Sequence, residues 1–125
     1  MVVFDSSIII DALRGKKTAL DLIESYSGKE RIAITVISKY EILRGTPDRD
    51  ANLVSGLIRQ FIILNFEDSV VDAVVKAYRR LTEKGRMVNE FDLLIAGIAA
   101  ANNETLITKD RDFLNFESPK IIVLR

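Results

Sequence analysis

Four carboxylates stand at the edges of apolar segments, where an unpaired charge is most costly. Asp5 ends Val2-Val3-Phe4, Glu41 interrupts Val36 to Leu43, Asp92 opens Leu93-Leu94-Ile95-Ala96, and Asp110 follows Thr105-Leu106-Ile107-Thr108. If they converge, two carboxylates roughly 5 Å apart repel by about 3 kcal/mol at an effective dielectric of about 20, or about two pKa units per neighbour. Repulsion of that size is relieved by protons or by a cation. Oxygen-only ligands favour Mg²⁺ or Mn²⁺ over softer ions, and acidic sites of this kind recur where phosphodiesters are cut.

Composition removes most competing chemistries. The chain has no histidine, which excludes Ser-His-Asp triads, HExxH zinc sites and imidazole acid-base catalysis. It has no cysteine, which excludes disulfides, thiolate zinc sites and cysteine nucleophiles, and is compatible with a reducing compartment. Lys plus Arg equals Asp plus Glu at 18 each, so no global positive field draws the protein to nucleic acid or to an anionic membrane. Any nucleic-acid contact must rest on local patches, such as Arg14-Lys16-Lys17 or Lys76, Arg79, Arg80, Lys84 and Arg86, or on metal. These patches are equally consistent with a merely solvated surface. No basic stretch with a long apolar region opens the chain, and no apolar run approaches a bilayer span. A cytoplasmic protein without membrane contact is expected.

The elements that must position the acids follow from patterning. At 125 residues the chain is expected to be one domain, 1–125, burying roughly two thirds of its unfolded surface. Val2 to Phe4 reads as a strand, with Ser6-Ser7 capping a helix that stops at Gly15. Further helices are expected at about Thr18 to Ser27, Val36 to Arg44 (capped by Thr35), Arg49 to Gln60, Asp68 to Gly85, and Glu90 to Ala101. Strands are expected at Ile32 to Ile34, Phe61 to Leu64, Thr105 to Thr108 and Ile121 to Leu124, the last two separated by a polar loop. Short strands that are apolar throughout, alternating with helices, argue an α/β fold: a central parallel sheet of about five short strands covered on both faces. Ligands in such sheets bind beyond the carboxyl ends of the strands near the topological switch point. Asp5 and Asp110 lie at such ends, Asp92 in the first turn of a helix, and Glu41 two turns into another.

Taken in order, Phe4-Asp5-Ser6-Ser7, Ile37 to Gly45, Asp92-Leu93-Leu94-Ile95-Ala96 and Leu106 to Phe113 resemble the PIN-domain ribonucleases. More narrowly, they are similar to the VapC toxins of toxin-antitoxin pairs. The resemblance covers essentially the whole chain. It implies a Mg²⁺- or Mn²⁺-dependent endoribonuclease with the quartet Asp5, Glu41, Asp92 and Asp110, supported by Ser6 and Thr108. It also implies an RNA substrate, a homodimer and a VapB-type antitoxin as partner. Asp112 stands where it could serve beside Asp110 or replace it.

Each acid has a structural alternative. Asp5 could only cap a helix, Glu41 could pair with Arg44, Asp92 could answer the helix dipole, and Asp110 or Asp112 could form a turn. Asp11, Asp21 and Asp72 read as solvated helix faces, and Phe61, Phe66, Phe91, Phe113 and Phe116 mostly as core. Three other functions compete. A receiver-like phosphoacceptor domain needs an aspartate ending a central strand, but Asn65 follows Phe61 to Leu64. A haloacid-dehalogenase-like phosphatase needs a second aspartate where Ser7 stands. A catalytically inactive scaffold of the same fold, binding RNA or protein, would not need the quartet intact.

Overall fold

The computed structural model describes residues 1–87 and 89–124. The chain runs β1 (Val2–Phe4), α1 (Ser6–Leu13), α2 (Lys17–Ser27), β2 (Ile32–Thr35), α3 (Val36–Arg44), α4 (Ala51–Ile58), β3 (Ile62–Leu64), α5 (Asp68–Glu83), α6 (Glu90–Ala101), β4 (Thr105–Thr108) and β5 (Ile121–Val123). Two 3-10 turns, Asp48–Asp50 and Arg111–Asn115, complete it. The five strands form one all-parallel sheet in the order β3-β2-β1-β4-β5. This is not the 2-1-3-4-5 order of receiver domains, so topology sets that alternative aside.

The strand pattern explains why both faces are covered. Successive side chains of a strand point to opposite faces. Val2, Phe4, Ile32, Ile34 and Ile107 accordingly enter one core with Ile8 and Ile9 of α1, Ile23 of α2 and Val54 and Ile58 of α4. Val3, Ala33 and Leu106 enter the other, with Val70 and Val74 of α5 and Leu93, Ile95 and Ile98 of α6. Phe4 packs edge-on against Tyr26 and Phe61, with ring centroids 5.8 and 6.0 Å apart.

Two features differ from what the sequence suggests. Asp5, not Ser6-Ser7, is the N-cap of α1: its side chain accepts the Ser7 amide at 2.8 Å. The segment expected to be one helix from Arg49 to Gln60 divides into the 3-10 turn and a shorter α4, because Pro47 fixes an extended φ of −63° and Asp50 leaves the helical region.

On the second face α6 approaches α5 closely. A Cβ built on Gly97 would lie 2.3 Å from Val74 Cγ2, and valine in a helix has essentially one rotamer in which to yield. Gly97 is therefore what lets α6 lie against α5 and carry Asp92 toward the sheet edge.

β1 is the switch point. The chain proceeds outward through β2 and β3, then returns to place β4 on β1's other side, so β1 pairs in register with both Ile32-Ala33 and Thr105-Leu106-Ile107. The crevice beyond the carboxyl ends of β1 and β4 is where such a sheet binds its ligand.

Candidate active site

Asp5 leaves β1 directly into that crevice and is 4% exposed. It is held from three directions. The Ser7 amide and hydroxyl donate to one carboxylate oxygen, and the Thr108 hydroxyl, from the end of β4, donates to the other. Its backbone amide donates to the Ile107 carbonyl at 3.0 Å. Burial pushes its pKa up, and these hydrogen bonds hold the rise back.

Glu41 reaches the same place from α3, whose N-cap Thr35 accepts the Ser38 amide at 3.1 Å. The Ser6 hydroxyl donates to Glu41 Oε1 at 3.2 Å. Ser6 thus serves Glu41, while Ser7, which sequence reasoning passed over, serves Asp5. Burial raises the Glu41 pKa, the Ser6 hydrogen bond opposes the rise, and Asp5 adds to it. Arg44, the structural alternative as partner, forms no ion pair with Glu41 among the described residues. Instead its guanidinium lies 5.2 Å from the Tyr40 ring centroid and 5.4 Å from that of Phe91.

Asp92 is carried on the first turn of α6, where the N-cap Asn89 accepts its amide at 3.1 Å. Its pKa is pushed up to about 7, first by burial and then by the charges of Asp110, Asp5, Glu41 and Asp112. Four acids therefore bear on Asp92 across the crevice. Asp110 is the strongest of these charges and Asp112 the weakest, and Asp110 is half-buried where Asp112 is exposed. Asp110 caps the 3-10 turn after β4, accepting the Asp112 amide at 2.8 Å while its own amide donates to Thr108 Oγ1 at 2.9 Å. Asp112 lines an outer hollow of about 300 Å³ with Asp92, Arg86 and Asn89.

Residues 2–118 match the PIN domain family. The chain belongs to that family. Within it, this PIN domain is 31% identical to ribonuclease VapC3 of Methanocaldococcus jannaschii, over 77% of this chain and 95% of that protein. It is 26% identical to ribonuclease VapC1 of the same organism, over 88% of this chain and 76% of that one. The fold is also that of a chain in the crystal structure of VapBC2 from Rickettsia felis bound to a promoter DNA fragment, with a TM-score of 0.90 at 21% identity and full coverage of both chains. A chain of the DNA-bound VapBC of Salmonella typhimurium superposes with a TM-score of 0.86 at 20% identity, covering 98% of each.

The donor set of the PIN domain's crevice is oxygen only, and the neighbouring acids raise the Asp92 pKa, while Arg44 offsets only part of the charge at Glu41. That chemistry fits a hard divalent cation. Among the described residues no three acids stand close enough together to form a metal-ligating group, so a cation there would be held by few carboxylates directly and by water for the rest.

A second buried acid was not foreseen. Asp11, read from sequence as a solvated face, is 8% exposed and bonded to Lys109 Nζ, with Lys16 Nζ at 3.4 Å. No local pattern signals it, since Lys109 lies 98 positions away in sequence. Asn89 was detectable, because an Asn three residues before a first-turn acid is a capping signature. Of the phenylalanines expected in the core, Phe61 and Phe113 are buried, whereas Phe66 is 39% exposed.

Proposed function

We propose that this PIN domain is an endoribonuclease of the VapC toxin kind, hydrolysing RNA phosphodiesters with water in the crevice formed by Asp5, Glu41, Asp92 and Asp110. The observation that carries the reading is the convergence of these acids from four separate elements on the switch point of a parallel sheet, with Asp92 raised to about 7 by its neighbours. The names of the two curated relatives, both ribonucleases, support the substrate class. Asp5, Asp92 and Asp110, with Glu41 and Asp112 at the margin, would hold Mg²⁺ or Mn²⁺, which when bound would supply positive charge against the phosphate and make water more acidic.

The chain's own residues do the rest. Ser7 and Thr108 fix the Asp5 carboxylate so that it does not turn away when substrate arrives. Glu41, its pKa raised and its orientation set by Ser6, takes the proton of the attacking water. The water oxygen bonds to phosphorus as the bond to the 3′ oxygen breaks. With no histidine in the chain, that oxygen takes its proton from water. The products are a 5′-phosphate and a 3′-hydroxyl.

Control by a VapB-type antitoxin has structural support in a groove of about 350 Å³ between α1, α3 and α4. Ile10, Leu13, Ile42, Leu53 and Val54 line it, with Glu41 at its edge. An amphipathic segment fits the apolar part, and an arginine from that segment would place its planar fork among the acids. Pairing of two copies is supported by Val71, Val75 and Tyr78, an exposed apolar stripe along α5. Among the described residues no helix is long and apolar enough to cross a membrane.

The decisive experiment incubates single-stranded RNA with purified protein, with Mg²⁺ or Mn²⁺ and then with excess chelator, and maps the product ends. Cleavage that survives the chelator, or leaves a cyclic phosphate, would overturn this mechanism.

A further inference from the structure

The acid crevice continues outward. Asp92 and Asp112 line the hollow of about 300 Å³ together with Arg86, Asn115 and Phe116. A second hollow, of about 310 Å³, shares Leu81, Asn115 and Phe116 with the first and runs along α5, where Lys76, Arg80 and Lys84 form its wall. The two make one furrow that begins at the acids and ends among cations. Lys76, Arg80 and Lys84 recur every four residues, so they project from one face of α5 as a ladder about 12 Å long. All three are exposed. At the junction Arg86 donates to Asn115 Oδ1 at 2.6 Å. The floor beneath the ladder is small and apolar, made by Ala73, Ala77, Gly97 and Ala100.

One carboxylate already sits on the ladder. Glu117 accepts from Arg80 Nη1 at 3.0 Å and lies 3.4 Å from Lys84 Nζ, bridging the two cations as a single phosphate would. Arg80, Lys84 and Glu117 are 62%, 55% and 60% exposed, and ion pairs that open to solvent exchange easily. The helix dipole accounts for cations in the last turn of α5. It does not account for Lys76 in the middle of the helix, or for Arg86 beyond its end.

We propose that this furrow is the path of the RNA strand on one side of the scissile bond, with Lys76, Arg80, Lys84 and Arg86 holding successive phosphates and Glu117 standing in for one of them until RNA arrives. This rests on the ribonuclease reading and adds where the substrate lies. Cations on a single wall suit one backbone, so the occupant is single-stranded; its bases lie toward the apolar floor. Phosphate contacts set direction and affinity and carry no sequence information. The arrangement also reconciles RNA binding with a net charge of zero, because the positive charge is gathered along one line.

The test measures binding of a fluorescein-labelled single-stranded RNA of about twelve nucleotides by anisotropy, in chelator and in an Asp92→Asn background, so that cleavage plays no part. Replacing Lys76, Arg80 and Lys84 together by Gln should weaken binding at least tenfold at low salt and flatten the slope of log K against log salt by about two. Glu117→Gln should tighten binding severalfold, an effect that a damaged fold does not produce. Unchanged affinity and salt slope in the triple variant, or weaker binding in Glu117→Gln, would overturn the path. Cleavage by the unmodified protein is scored separately. RNA that is cut although the triple variant binds normally refutes the path and leaves the ribonuclease reading standing. RNA that is never cut although the ladder binds it refutes the ribonuclease reading and reduces the furrow to a surface that binds RNA without presenting it for cleavage.

Discussion

Asp5 and Asp11 mark the two sides of one short helix, and both are nearly inaccessible, at 4% and 8% exposure. Asp11 has Lys109 and Lys16 as partners, chiefly a hydrogen bond from Lys109, and its pKa falls. Asp5 has two hydroxyls and an amide but, among the described residues, no cation, and burial drives its pKa up. The same residue type on the same element thus acts as a strut in one case and as an unneutralised ligand in the other. What separates them is the sign of what β4 delivers across α1: Lys109 on one side, and Thr108 followed by Asp110 on the other. A buried acid provided with a cation has its role completed by the fold. Buried acids grouped without one repel one another, and a proton or a bound cation relieves that repulsion.

The largest effect that separates the two regions is on catalysis. Asp92→Asn, Asp110→Asn and Asp5→Asn should each lower RNA cleavage by about 100-fold or more, measured with Mg²⁺ or Mn²⁺ on a fixed RNA, whereas Asp11→Asn should stay within about tenfold. An Asp11 variant as inactive as the Asp92 variant would erase the distinction.

Next in size is the response to metal. At about 100 times its dissociation constant a cation adds about 2.7 kcal/mol, or roughly 10 °C in melting temperature for a domain of this length. Mn²⁺ should produce a shift of that order in the unmodified protein and in Asp11→Asn, and little in Asp92→Asn. Metal-free melting then divides the site itself. Asp92→Asn removes repulsion and should melt a few degrees higher at pH 8. Asp5→Asn breaks the acceptor set shared by Ser7 and Thr108 and should melt lower.

Smaller still is the strut. Asp11→Asn should cost about 1 kcal/mol, since Lys109 and Lys16 are largely exposed, and this corresponds to a few degrees in melting temperature. Addition of metal should not restore it.

The pH dependence sharpens the comparison, because the two carboxylates pull in opposite directions. Folded Asp92 keeps its proton to about pH 7, while the unfolded chain loses it near the ordinary aspartate value of 3.8. The folded state therefore binds more protons in between, and metal-free stability should fall as pH rises from about 4 to about 7, then stay low. Asp11 is lowered instead, so its contribution is present above the ordinary aspartate range and lost as pH falls through its folded pKa. Chemical denaturation at several pH values should show the first slope flattened by Asp92→Asn and restored by none of the Asp11 variants.

The sequence carried the sheet and the acids well, and for a physical reason. Strands such as Ile32 to Ile34 and Thr105 to Thr108 are apolar throughout because both their faces are covered, and that pattern is local. Thr35 announces α3 as its cap in the same local way. What stayed hidden depends on distant partners. Asp11 looks like a surface residue until β4 brings Lys109 over it. Ser6 and Ser7 look interchangeable until α3 presents Glu41 to the first and Asp5 turns back to the second. The 3-10 turn after β4 has no periodicity to betray it. It is nevertheless what sets Asp110 inward and Asp112 outward, a choice the sequence left open.

The place of β1 at the centre of the sheet has a consequence in time. Its outer neighbour β4 is made roughly a hundred residues later, yet Thr108 and Asp110 are needed to finish the crevice that Asp5 begins. On the ribosome the opening strand must wait, half paired, while β2, β3 and helices α1 to α6 are synthesised. Only when the stretch through Asp110 has cleared the exit tunnel do the acids meet. The crevice is thus completed long after the strand that opens it has been made, and the order of the strands sets that delay.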